Sequence, residues 1–401
     1  MKKFLIFLLV LPVSLSAYDF GLVVTANGGY ENGSAEGNAF NYEVDILPRF
    51  STLIGDNGEF VLSAGFSAGK EKENEPFYVP ELLRTEFSIR FGNSGVRVGR
   101  VNFSDPLALA ANGLFDGIRY YYNTRHGSFY AGVFYTGFLY KEKASILMTY
   151  DDKIAFDKTF DYGDFVATYF ASKRLVYSVG WEHPSIGEFL QLSTNFIGQA
   201  DLNDAYTKYH SQYLIIKAGI PVKNLLVEFG GSVEFSQTVT EESLFNAAFA
   251  GDAGLFLLFP SEFNSRLLFK GTILGGRIND SIGEFIPITA REYGYVLRTK
   301  LSGISVFSLD YSSKFSKFFS GSVKASYFVR NDLGTFSGYP AAENSEGYFL
   351  GPEASAQIAW SPTSDLQFTL GGGAFFPSLG NAGPDEKLKW RVDLMLVLSI
   401  L

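Results

Sequence analysis

The sequence of 401 residues contains no cysteine. That excludes a disulfide scaffold and a lipid attached to a cysteine at a processing site. Histidine is almost as scarce: only His126, His183 and His210 occur, and none sits in a metal-ligand spacing such as His-x-x-x-His. A hydrolase would need a nucleophile, a histidine and an orienting group brought together. His210 offers one corner of such a set, and no serine is marked as its partner, so neither an enzyme nor a cofactor or metal site is expected. Long apolar runs are missing too. Hydrophobic residues make up 46% of the chain, yet beyond the N-terminus a run such as Leu255 to Pro260 is among the longest, far short of the roughly 20 residues of a spanning helix. Finally, there is no excess of basic charge. The net charge is −9, which argues against a nucleic-acid partner.

What is present begins with a leader. Met1 to Ala17 carries Lys2 and Lys3, the apolar run Phe4 to Val13, and Ser-Leu-Ser-Ala, the layout of a secretory signal peptide. Cleavage is placed after Ala17, with Ser16 as the alternative. Residues 18–401 then form one domain, since no linker, charge block or low-complexity segment divides them. A single soluble core seldom grows that large, whereas a large barrel has no core to outgrow.

Much apolar surface without apolar runs implies alternation. From Trp390 the C-terminal segment places Trp390, Val392, Leu394, Leu396, Leu398 and Ile400 on one face, with Arg391, Asp393, Met395, Val397 and Ser399 on the other. Glu81 to Phe91 is similarly two-faced: Leu83, Thr85, Phe87, Ile89 and Phe91 against Arg84, Glu86, Ser88 and Arg90. In a membrane barrel the apolar face meets lipid and the mixed face lines a lumen. The 40 Phe and 23 Tyr fit the aromatic girdles of such barrels. The expected fold is therefore all-β, a transmembrane antiparallel up-and-down β-barrel.

Tight turns and longer outside loops should themselves alternate along such a chain. Gly55-Asp56-Asn57-Gly58 and Gly92-Asn93-Ser94-Gly95 read as tight turns. Two stretches restore the alternation only if each is one long strand, Asp164 to Glu182 and Thr289 to Tyr311. The count is then about 18 strands, with about 16 or 20 as alternatives, and both termini fall on the periplasmic side. Pro48 predicts a bulge, because a closed barrel has no edge to tolerate it. No helix is expected beyond the leader.

The predicted inward face carries the chemistry. Its candidate pore-lining residues are Arg49, Arg84, Glu86, Arg90, Arg119, Glu228, Glu234, Arg266, Lys270, Arg298, Lys324, Arg330, Glu353, Arg391 and Asp393, together with Asp45 and Glu292. One reading is a ladder of ion pairs that stiffens a watery lumen. The other is a conducting path whose arginines attract anions through planar donors and whose carboxylates keep binding weak enough for release. The loops Lys141 to Gly163 and Asn331 to Gly347 either fold inward as a constriction or cover the outside.

Val98-Gly99-Arg100, followed by Asp105-Pro106 and Phe115-Asp116-Gly117, resembles the early strands of bacterial porins of the alginate-export type. His210-Ser211-Gln212-Tyr213-Leu214 and Leu309-Asp310-Tyr311-Ser312 are similar to strands of that broad group. The resemblance implies an eighteen-stranded monomeric barrel that passes anionic solutes or oligosaccharides, although Glu86, Glu228, Glu234 and Glu353 dilute the cationic lumen of an alginate exporter.

Together these readings predict a porin of a Gram-negative-type outer membrane, passing small hydrophilic solutes, with anionic ones as candidates. Its partners would be the lipid bilayer, periplasmic chaperones and the barrel-assembly machinery. The alternative is a non-conducting barrel serving as a surface adhesin or structural protein. The C-terminus resembles the usual insertion signal but ends on Ile400 and Leu401 instead of an aromatic residue.

Overall fold

A sheet with one face in lipid has nowhere to leave an open edge, because hydrocarbon offers backbone groups no partner. The computed structural model solves this by closure. It describes residues 18–34, 37–70, 76–240, 243–261, 263–278, 281–300, 303–332, 347–382 and 387–400; the predicted leader lies outside them. The first nine strands are β1 (Tyr18–Ser34), β2 (Gly37–Ile54), β3 (Gly58–Lys70), β4 (Phe77–Phe91), β5 (Ser94–Ser104), β6 (Asn112–Thr124), β7 (Gly127–Tyr135), β8 (Arg174–Ile186) and β9 (Leu190–Asp201). They are followed by β10 (Lys208–Val222), β11 (Leu225–Val239), β12 (Ser243–Phe259), β13 (Ser265–Leu274), β14 (Ile304–Lys314), β15 (Phe319–Arg330), β16 (Phe349–Trp360), β17 (Leu366–Phe375) and β18 (Lys389–Ile400). Each pairs antiparallel with its neighbours in the chain, and β18 pairs back onto β1 from Leu22↔Ile400 to Glu31↔Arg391. The result is a closed 18-stranded antiparallel barrel.

Alternation sets the two surfaces. On β18, Val392, Leu394 and Ile400 are exposed outside, while Arg391 is buried inside. Gly55 and Gly92 take positive φ in the tight turns after β2 and β4, as hairpin chemistry requires.

Four expectations about secondary structure are corrected. Asp164 to Glu182 is not one strand: loop B, residues 136–173, holds three short helices, α1 (Lys141–Ala144), α2 (Tyr150–Asp157) and α3 (Phe165–Tyr169), and β8 starts only at Arg174. Helices beyond the leader therefore do exist. Thr289 to Tyr311 is not one strand either, since β14 starts at Ile304 and residues 281–300 form loop C. Lengthening a loop preserves turn parity as well as lengthening a strand does, so the parity argument could not separate them. At Pro48 there is no bulge. The β2–β3 ladder stops at Ile46↔Phe66 and resumes in the same register at Arg49↔Ser63, so the missing N–H falls in a gap. The bulge lies one strand over, where Ser63↔Arg84 is followed by Ala64↔Leu82 and Leu83 becomes the extra residue.

The barrel also has a core, contrary to the sequence argument. Inward side chains of the wall, including Phe103, Phe115, Phe134, Tyr213 and Phe328, pack in one buried cluster with Leu107, Ile146, Met148, Phe285 and Ile288 from loops that enter the lumen. Burial of this kind stabilises by about 25 cal/mol per Å² of apolar surface, and it fixes the loops in place.

Candidate functional site

Three loops meet inside the lumen. Loop A, residues 105–111, is built around Asp105, whose carboxylate accepts from the backbone N–H groups of Leu107, Ala110 and Ala111, each at 2.8 Å. Burial pushes this carboxyl above its ordinary range, against the pull of those donors. The tight loop drives Leu107 across to β11, where a Cβ on Gly230 would lie 2.7 Å from Leu107 Cδ2.

Loop B is fixed by a capping box. Thr149 Oγ1 accepts from the Asp152 N–H at 3.2 Å, and Asp152 Oδ2 accepts from the Thr149 N–H at 2.9 Å. Asp152 also meets Arg174 of β8 at 2.5 Å, and Arg174 pairs with Asp201 at the end of β9. On α1, Lys143 lies 3.6 Å from both Glu43 of β2 and Glu81 of β4.

Loop C is held at two ends by carboxylates. Glu234 of β11 accepts from the Ile286 N–H at 2.8 Å, beside Tyr213, whose hydroxyl donates to the Ile286 carbonyl at 2.5 Å. Glu353 of β16 accepts from the N–H groups of Tyr295, Val296 and Leu297 at 2.6, 2.9 and 2.9 Å. The Tyr295 hydroxyl donates to Asp393 of β18 at 2.6 Å. Between these ends, the Ile288 N–H donates to the Ala110 carbonyl at 2.7 Å and the Ala290 N–H to the Ser145 carbonyl at 2.8 Å. Loop C is thus hydrogen-bonded to both loop A and loop B, and the three form a bridge across the barrel.

On the β2–β6 side an arginine arc runs along the inner wall. Arg49 of β2 and Arg84 of β4 flank Ser63 of β3 in register, and Arg97 of β5 stands opposite Arg119 of β6. Buried Glu86 joins Arg84 at 2.9 Å to Arg97 at 3.6 Å, while the side chains of these arginines remain 40% and 41% exposed. Water therefore reaches them inside the barrel. Arg119 lies over the Tyr130 ring at 4.6 Å. Across the lumen the charges are mixed: Lys217 with Glu228 at 2.8 Å, and Lys270 with Asp252 at 2.9 Å. Toward the short-turn end a cavity of about 900 Å³ is lined by Arg266, Asp310, Lys314, Gln357 and Gln367 among others. Lys324 of β15 is the register partner of Asp310. Arg90 is exposed at the foot of β4.

Several predicted wall residues do other work. Arg298 is on loop C, with positive φ, and pairs with Glu292 at 3.0 Å; its place on a strand is corrected. Glu234, Glu353 and Arg330 are buried. The two carboxylates hold loop C, and Arg330 Nε donates to the Gly347 carbonyl at 2.6 Å. Arg391 and Asp393 pair at 2.7 Å and serve the closing seam. Of the two loops named as candidate constrictions, 141–163 does reach the lumen, and most of Asn331 to Gly347 lies outside the described residues. Sequence reasoning missed Arg97, although its place between Val96 and Val98 carries the same alternation that found Arg84. It also missed Tyr295 and Lys143, which no strand pattern marks.

A closed barrel with an apolar exterior and a charged, loop-crossed lumen belongs to the porin class of folds. Among solved structures the fold matches Pseudomonas aeruginosa OccK2 (OpdF) in complex with glucuronate, at 12% identity and TM-score 0.61, over 96% of this chain and 98% of that one. It matches a BenF-like porin from Pseudomonas fluorescens Pf-5 at 11% identity and TM-score 0.60, over 96% and 99%. The outer membrane protein opdK from Pseudomonas aeruginosa matches at 12% identity and TM-score 0.57, over 95% and 98%. No family model matches the sequence, and no curated protein does. The fold is thus that of outer-membrane porins, and these matches do not single out the alginate-export type.

Proposed function

We propose that the protein is an outer-membrane channel for passive diffusion of small hydrophilic solutes, with anionic solutes favoured. The observation that carries this is the arginine arc, Arg49, Arg84, Arg97 and Arg119, lying on a wall that water reaches. Guanidinium groups offer carboxylates and phosphates planar, paired donors. Glu86 beside them keeps an anion from being held too tightly to leave. A fold-mate that holds glucuronate, an anion, is in keeping with this reading. The chain would reach the outer membrane by cleavage of residues 1–17 and by the periplasmic chaperones and assembly machinery that fold barrels. The narrower alginate-export resemblance rests on its short sequence stretches alone.

The test is conductance of refolded protein in a planar bilayer. Discrete steps are expected, with reversal potentials on the anion-selective side. Insertion without conductance would overturn the channel reading and favour a second one, a closed barrel whose outer loops contact other surfaces. The bridge formed by loops A, B and C is the observation in favour of that alternative.

A further inference from the structure

The ladder joining β4 to β5 rises from the short turn and stops at Thr85↔Arg100. Above it, β4 continues to Phe77 paired with β3 alone, and β5 continues to Ser104 paired with β6 alone. Gly99 marks the parting. Its φ is +113°, and a Cβ there would lie 2.0 Å from the Thr85 carbonyl oxygen, so glycine is what lets β5 leave β4 at this point.

An open strand edge in a membrane presents carbonyls that lipid cannot satisfy. Here they are met by side chains. Arg100, held by Asp116 at 2.8 Å, donates to the Leu82 carbonyl; the Tyr169 hydroxyl donates to the Pro80 carbonyl at 2.7 Å and the Tyr162 hydroxyl to the Tyr78 carbonyl at 2.8 Å. Both tyrosines belong to loop B around α3. Their rings form a wedge: Phe165 stacks on Tyr169 at 4.6 Å, with Phe160 and Phe170 edge-on to Phe165 at 5.8 and 5.7 Å.

The outer surface of this region presents large apolar side chains beside the exposed Asp161 and Asp164. Phe138, Tyr162 and Val166 are 61%, 60% and 73% exposed. They continue the outward girdle of the neighbouring wall, where Tyr78 stacks on Phe66 at 6.4 Å and Phe138 packs edge-on against Tyr135 at 4.9 Å. The ladder from the short turn up to Thr85 climbs roughly 15 Å at about 3.3 Å per residue and a tilt near 40°. The apolar band of a barrel is about 25 Å tall, so the split begins within it and the wedge sits at the outer interface.

We propose that this aromatic wedge is a section of the membrane-facing wall and a docking surface for outer-leaflet lipid, in place of a lid over the pore. The proposal rests on the reading of the chain as a membrane barrel. Because the sequence has no cysteine, single labels are clean. Val166→Cys and Phe138→Cys would each carry a bimane label in protein folded into dioleoylphosphatidylcholine vesicles containing doxyl-labelled phosphatidylcholine. Leu394→Cys on the lipid face of β18 and Asp204→Cys in the exposed β9–β10 connection are the references. The expected result is quenching by doxyl lipid comparable to Leu394→Cys, with an iodide quenching constant several-fold below that of Asp204→Cys. Iodide quenching equal to Asp204→Cys, without lipid quenching, would overturn the proposal. So would shielding from both quenchers, which would mean that protein covers the wedge. Loss of lipid quenching at Leu394→Cys as well would mark failure of the barrel reading itself.

Discussion

Arg391 stands directly opposite Glu31 in the register that closes the barrel, and the two side chains meet at 3.2 Å across the seam. The same guanidinium lies 2.7 Å from Asp393, which accepts the Tyr295 hydroxyl of loop C. One cation therefore serves both closure of the wall and one end of the bridge across the lumen.

Removing that cation should be costly. Arg391→Leu leaves two largely buried carboxylates without their partner, a loss on the order of 3 kcal/mol for a broken buried pair. The expected outcome is a lower urea midpoint for the folded barrel, read by gel mobility without heating. Arg391→Lys keeps the charge without the planar fork, so its midpoint should fall between those of Arg391→Leu and the native protein.

Glu353 should govern the mobility of loop C. It accepts three backbone N–H groups of Tyr295 to Leu297, and bonds to a charged acceptor contribute roughly 1.5–3 kcal/mol each. Glu353→Gln keeps the shape but not the charge. Trypsin cleavage at Arg291, Arg298 or Lys300 in the folded protein should then speed up roughly tenfold, the equivalent of losing about 1.4 kcal/mol. Unchanged cleavage would show that the Glu234 end and the apolar cluster hold the loop without it.

Much of the wall was legible because strands in a barrel repeat one rule, apolar outward and mixed inward, with turn chemistry between them. β4 and β18 follow it residue by residue. What could not be read were the segments inside the lumen. Loop C alternates Tyr293, Tyr295 and Leu297 with Glu292, Gly294 and Arg298, and a loop wedged between wall and water is two-faced like a strand. Thr149 and Asp152 spell a capping box, but α2 is short and its polar surroundings read as a loop. Glu234 and Glu353 meet loop C from the wall. Their hydrogen bonds to a segment some 50 residues away in sequence leave no trace in local pattern. Val98-Gly99-Arg100 carries only a resemblance in the sequence, and its physical meaning, the parting of β4 from β5, appears in the register.

The arginine arc should set ion preference. Arg49→Gln combined with Arg84→Gln removes two inward charges at one level of the wall and should shift the reversal potential in a salt gradient toward cations. The shift should shrink in about 1 M salt, where the screening length falls to about 3 Å. A selectivity independent of both the substitutions and ionic strength would place the filter elsewhere in the lumen.

The lipid face of β18 supplies the most direct test of orientation. Leu394 lies opposite Gly28 on β1 and Leu370 on β17, and Leu396 opposite Ala26 and Phe368, on the parity that carries the exposed apolar side chains. A charge on this face costs about 2–4 kcal/mol at mid-membrane for a basic residue and less for an acidic one. Leu394→Asp with Leu396→Asp should therefore reduce insertion into vesicles severely, measured as the fraction migrating as folded barrel. Val397→Asp, on the inward parity opposite Thr25 and Gln367, adds the same charge to the watery side and should insert nearly as well as the native chain. Equal loss in both variants would mean that β18 is sensitive to charge as such, and the assignment of its two faces to lipid and lumen would fall.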